Sequence, residues 1–170
     1  MPDWFPVVTL LIGYGAKSLT DYFDNRRAIA REREVRDAAR RDHLFERRSN
    51  FQRETLLALQ DTALELGRDT AAIDHQNKMS LRSTGKLGVI TEEFNEGYRV
   101  RQATMSKLVS RVRDDAVREL AEQFRQSSAD TVMADTEQQG AIGMERASNA
   151  HEQLNQRIGT LLRSLDDAEQ

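Results

Sequence analysis

The sequence predicts an all-α protein. A long N-terminal helix, membrane anchor plus charged stalk, leads into an antiparallel three- or four-helix bundle or coiled coil. Three observations carry this. The two prolines, Pro2 and Pro6, both precede residue 7, so the rest of the 170-residue chain lacks the strongest helix breaker. No alternating run of β-branched residues exceeds three or four positions, so strand patterns are missing. Charged residues make up 31%, hydrophobic ones 38%, and mean hydropathy is −0.68. That balance suits long helices with narrow apolar seams better than a thick globular core.

The first element is a charge-free run from Trp4 to Ala16, closed by Lys17 and Asp21. A bilayer-spanning helix needs about 20 apolar residues, and at least roughly 17. This run has about 13, or about 16 to Leu19 if Lys17 snorkels its amine to water. Three segment types fit such a run. A secretory signal would carry a basic region before its apolar core, where this chain has only Met1, Pro2 and Asp3. A buried core helix is the second type. The third is an N-terminal membrane anchor, spanning or lodged in one leaflet, and it agrees best with the composition. Trp4 and Tyr14 favour the interface, and Pro6 sits near the helix start where its missing N–H does no harm. The anchor residues are then Trp4, Phe5, Val7, Val8, Leu10, Leu11 and Ile12, with Arg26 and Arg27 at the headgroups. The expected segments are 1–20 as anchor, 21–50 as charged stalk and 51–170 as bundle.

The stalk carries nine arginines, Arg26, Arg27, Arg31, Arg33, Arg36, Arg40, Arg41, Arg47 and Arg48. Their crowding on one side of the apolar run places the bulk of the chain in the cytoplasm by the positive-inside rule. Asp24, Glu32, Glu34, Asp37, Asp42 and Glu46 are interleaved and cancel much of the field. With few aromatic residues for base stacking, nucleic acid is not the expected partner. The first arginines instead suit anionic lipid headgroups. Glu32 with Arg36 and Asp37 with Arg41 stand at i, i+4, acid first, each pair adding about 0.2–0.5 kcal/mol.

From Phe51 the seam thickens. Leu56, Leu59, Ala63, Leu66, Thr70 and Ile73 recur at 3-4 spacing, with Leu57 and Leu64 widening the stripe. Gly67 weakens this helix by about 1 kcal/mol relative to alanine. The helix is expected to end near Leu81, before the loop Ser83–Gly88. Thr91 caps a second helix whose apolar face is Phe94, Tyr98, Met105, Leu108 and Val112. Asp114–Asp115 interrupts the pattern before Ala116, Val117, Leu120, Ala121 and Phe124. Residues 91–133 therefore form one kinked helix or two, and the pattern does not decide. A break near Ala134–Thr136 follows, with Asp135 and Gln138 in capping-box positions. The last helix has the seam Met144, Ala147, His151, Leu154, Ile158, Leu161 and Leu165, which predicts coiled-coil-like packing.

Chemistry-bearing residues are few. The chain has no cysteine, which excludes disulfides and thiolate chemistry. His43, His75 and His151 are the only histidines, and none has His, Asp or Glu at i+4. If the first and last helices run parallel, His151 is level with about residue 64. His75 then lies roughly 16 Å further along, too far to share a metal. No metal or cofactor is expected. Ser83–Thr84–Gly85–Lys86 lacks the earlier glycine, the following Ser or Thr, and the preceding strand of a phosphate-binding loop. No nucleophile–base arrangement points to an enzyme. His151 is the one histidine on a seam, hence a candidate pH-sensitive group.

The stretches Phe51-Gln-Arg-Glu-Thr-Leu-Leu-Ala-Leu-Gln-Asp, Arg111-Val-Arg-Asp-Asp-Ala-Val-Arg-Glu-Leu and Asn155-Gln-Arg-Ile-Gly-Thr-Leu-Leu extend the picture. With them the chain resembles small uncharacterised actinobacterial proteins that open with a short apolar segment and an Arg/Glu-rich helix. The resemblance covers nearly the whole chain. It implies membrane association and an all-helical fold, and it carries over no catalytic or ligand residue. The expectation is a membrane-anchored, cytoplasm-facing helical scaffold or interaction protein. Its partners would be membrane lipid and a protein or a second copy through helical seams. The alternative is a soluble helical assembly protein, viral or phage-derived, whose apolar N-terminus mediates oligomerisation.

Overall fold

In a computed structural model, the described backbone covers residues 5–86 and 92–167. Described side chains are Arg26, 32–86, Glu92 and 94–167. All four elements there are α-helices: α1 (Phe5–Thr84), α2 (Glu92–Val109), α3 (Asp115–Val132) and α4 (Glu137–Asp167). The chain divides into two units, Met1–Arg47 and Arg48–Gln170.

In the first unit, the described side chains from 32 to 47 are exposed except for Ala38, which is partly covered. The expected Glu32–Arg36 pair forms at 2.5 Å. Arg41 instead donates from Nε to the Asp37 backbone carbonyl at 3.3 Å, not to its carboxylate. On a solvated helix a carbonyl one turn back competes well with a screened ion pair. Val35, Leu44 and Phe45 stand in solvent, at 68, 50 and 52% exposure.

The second unit is a four-helix bundle with alternating helix directions, as its side-chain bonds show. Between α1 and α2, Gln52 Nε2 donates to the Arg111 carbonyl at 3.1 Å, while Arg101 pairs with Glu65 at 3.0 Å and Asp69 at 2.8 Å. Between α1 and α4, Arg53 pairs with Asp166 at 2.6 Å and Arg82 pairs with Glu137. The first and last helices therefore run antiparallel. An even number of helices joined by short reversing turns requires this, and the parallel expectation is corrected.

The α1 seam is as the spacing predicts. Leu56, Leu59, Ala63, Leu66, Thr70 and Ile73 are all buried. Leu57 and Leu64 do not widen it; each stays near 45% exposed. In a four-helix bundle each helix contributes only a narrow wedge to the core, and these two lie outside it. In α2, Tyr98, Met105 and Leu108 are buried, and Val112 just beyond it, while Phe94 is exposed. Val117, Ala121 and Phe124 complete the core from α3.

Residues 92–132 form two helices. Asp114 caps α3, its carboxylate accepting from Val117 N at 2.9 Å. Arg157 of α4 grips the same carboxylate through Nε at 3.2 Å and Nη2 at 2.5 Å. That pairing, with the backbone bonds, holds the Asp114 carboxyl below the usual range despite partial burial. The turn before the cap is fixed from outside. Gln52 bonds the Arg111 carbonyl and accepts from Arg113 N at 3.2 Å.

α1 runs to Thr84, three residues past the expected end. It stops at Gly85, whose φ of +69° is the left-handed conformation glycine adopts without strain. α4 is capped one residue later than expected. Thr136 Oγ1 accepts from Gln139 N at 3.2 Å, and Gln139 Oε1 accepts from Asp135 N at 3.1 Å. The buried line of α4 also differs from its apolar one: Gly140, Gly143, Ala147, Ala150, Leu154 and Ile158. Small residues let the first half of α4 approach α3 closely. A Cβ on Gly143 would lie 2.6 Å from Thr131 Oγ1 and 3.0 Å from Thr131 N.

Candidate functional site

Trp4, and the side chains of Phe5, Val7, Val8, Leu10, Leu11, Ile12 and Arg27, lie outside the described residues. Arg26 is exposed on α1. Among the described residues, no helix is long and apolar enough to cross a membrane.

The histidines remain apart. His43 lies 3.8 Å from Glu46 on an exposed surface, and His75 is exposed. No group of three metal-ligating side chains converges among the described residues. Ser83 and Thr84 belong to the end of α1. Their hydroxyls turn back onto the carbonyls of Met79 and Ser80 at 2.9 and 2.8 Å. A helix C-terminus presents carbonyl oxygens, the wrong polarity for an anion.

His151 is the candidate that acquires a defined setting. The sequence places it on the α4 seam between Ala147 and Leu154. Both of those are buried, but Ala150 holds the intervening core position, and His151 stands at the margin, partly buried. Its ring leans on Phe124 of α3, with centroids 5.2 Å apart and planes 40° from parallel. The side-chain amide nitrogen of Asn155, one turn on, donates to Nε2 at 3.1 Å. Burial pushes the His151 pKa below its ordinary 6.5, because a charged ring loses hydration there.

This shift has a sign that can be measured. The folded value lies below the unfolded one of about 6.5, so in the interval between them only the unfolded chain holds the proton. Stability is highest above pH 6.5 and falls as pH drops through that interval. In urea unfolding of residues 48–170, His151→Leu flattens that fall. Parallel pH profiles for the two forms would show that the ring titrates alike in both states.

Around His151 lies a cleft of about 280 Å³ between α1, α3 and α4. Leu64, Gly67 and Arg68 of α1 form one wall, Phe124 the floor, and Met144, Ala147 and Ser148 the other wall. His151 thus faces residues near 67 on α1, close to the level expected, although the helix direction is reversed. Gly67 is legible as a weak point in its helix, but the cleft it opens is not. The line Gly140-Gly143-Ala147-Ala150, at 3-4-3 spacing, was the legible hint that α4 approaches its neighbours closely.

No protein-family model, curated protein or solved structure matches the chain.

Proposed function

We propose that the protein is a membrane-anchored, cytoplasm-facing helical scaffold or interaction module, and we assign it no enzymatic activity. The observation that carries this is the junction in the sequence. Trp4–Ala16 is free of charge, and nine arginines follow between residues 26 and 48. An apolar helix followed closely by arginine is held at a bilayer by burial of the first and headgroup attraction of the second. Trp4, Phe5, Val7, Val8, Leu10, Leu11 and Ile12 supply the apolar contact, and Arg26 and Arg27 meet the headgroups. The four-helix bundle, with its own core from Leu56 to Ile158, supplies a folded body for the anchor to hold.

A second reading is favoured by Val35, Leu44 and Phe45, apolar side chains left in solvent along residues 32–47. Such a helix gains stability from a partner helix, which a second copy of the chain can provide. On this reading the N-terminus assembles copies without lipid.

Fractionation distinguishes the two. Full-length protein is expected in the membrane pellet after ultracentrifugation, and a form lacking residues 1–20 in the supernatant with its helical content otherwise kept. Full-length protein that stays in the supernatant as a discrete oligomer, and becomes monomeric on the same deletion, establishes the second reading instead.

A further inference from the structure

We propose that the cleft between α1, α3 and α4 is a binding site for a small aromatic or apolar carboxylate. The ring lies beside Gly67, in the space its missing side chain leaves and against the edge of Phe124, and the carboxylate reaches Arg68. This is independent of where the N-terminus resides.

The first argument is the glycine. Glycine in the interior of a helix weakens it, so it calls for a reason. At Gly143 the reason is packing, since a Cβ would collide with Thr131. At Gly67 packing gives none. A Cβ there would meet only Phe124 Cζ at 3.7 Å, an ordinary contact. What the missing side chain leaves is open space in the cleft, against the edge of a buried aromatic ring.

The second argument is the chemistry of the walls. Phe124, the tilted His151 ring and the Met144 thioether are polarizable groups that suit a flat apolar ring. The volume, about 280 Å³, stands at the small end of ligand sites and fits one ring with a short substituent. At the rim, Arg68 forms no ion pair among the described residues, and Ser148 no hydrogen bond there. A guanidinium beside an apolar slot selects a carboxylate, which it can grip through two N–H groups. The same guanidinium repels cations.

The test uses full-length protein with 13C-labelled methionine methyls, Met144 being assigned by its loss in Met144→Leu. The probes are 3-phenylpropionate and its neutral amide. The expected result is a saturable shift of the Met144 methyl, with Kd at about 1 mM or below for the acid. The amide should bind about tenfold more weakly. Arg68→Gln, at an exposed position, should bring the acid down to the level of the amide and leave the amide unchanged. Gly67→Ala should raise the thermal midpoint and weaken both probes together. The proposal is overturned by a Met144 methyl that does not move, by equal affinities for acid and amide, or by an Arg68→Gln protein that still prefers the acid. Undiminished binding in Gly67→Ala also overturns it.

Discussion

Phe124→Ala is expected to lower the unfolding free energy of the bundle by about 3–5 kcal/mol. Phe124 is 2% exposed and is the largest of the fully buried side chains. It stands where three helices meet, under Gly67 of α1 and against His151 of α4. Truncation removes the apolar area of a ring and leaves a void that Gly67, having no side chain, cannot help to fill. The void opens into the existing cleft and so admits water, which limits the cost to the range for single buried rings. Against a typical total of about 5–15 kcal/mol, this is about a fifth of the stability or more. Urea unfolding followed by far-UV circular dichroism measures it. A loss below about 1 kcal/mol, within the range of a surface substitution, would remove Phe124 from the core.

Gly143→Ala is expected to destabilise by about 1–3 kcal/mol, although alanine is the better helix former. Intrinsic propensity alone gives the opposite sign, a gain of about 1 kcal/mol. Packing decides. The added Cβ would sit 2.6 Å from Thr131 Oγ1, 3.0 Å from Thr131 N and 3.1 Å from its Cα. The hydroxyl could be moved or deleted, but the backbone of α3 cannot give way without parting the helices. Thr131→Ala in the Gly143→Ala background should therefore recover only part of the loss. A thermal melt of Gly143→Ala with a raised midpoint would contradict the close approach of α3 and α4.

These two residues mark where the sequence was legible. The α1 seam could be read because its buried positions carry large apolar side chains at regular spacing. All six residues from Leu56 to Ile73 appear in the core. The α4 seam was read half a step off. Gly140 and Gly143 are buried but have no hydrophobic side chain to register, while His151 fits the period and lies beside it. The break between α2 and α3 was half legible: Asp114–Asp115 interrupts the apolar pattern, but nothing local decides between a kink and two helices. No proline or glycine stands between Ser110 and Asp114. The turn there is held by Gln52, about sixty residues distant in the chain, and by Arg157 on the Asp114 cap. Local pattern cannot carry such a contact. The cleft was hidden likewise, since it exists only where Gly67, Phe124 and His151 meet.

The membrane assignment rests on the N-terminal segment, and that segment carries its own probe. Trp4 is the only tryptophan in the chain, so fluorescence excited on the red edge, beyond tyrosine absorption, reports on the anchor alone. Full-length protein is mixed with vesicles containing anionic lipid, and emission is recorded with and without brominated acyl chains. An indole entering the interfacial region loses polar surroundings and comes within reach of the bromines. The account predicts a blue shift on vesicle addition and quenching by the brominated lipid. Emission that is already blue without lipid, and that brominated lipid does not quench, would contradict it and place the segment inside a protein assembly.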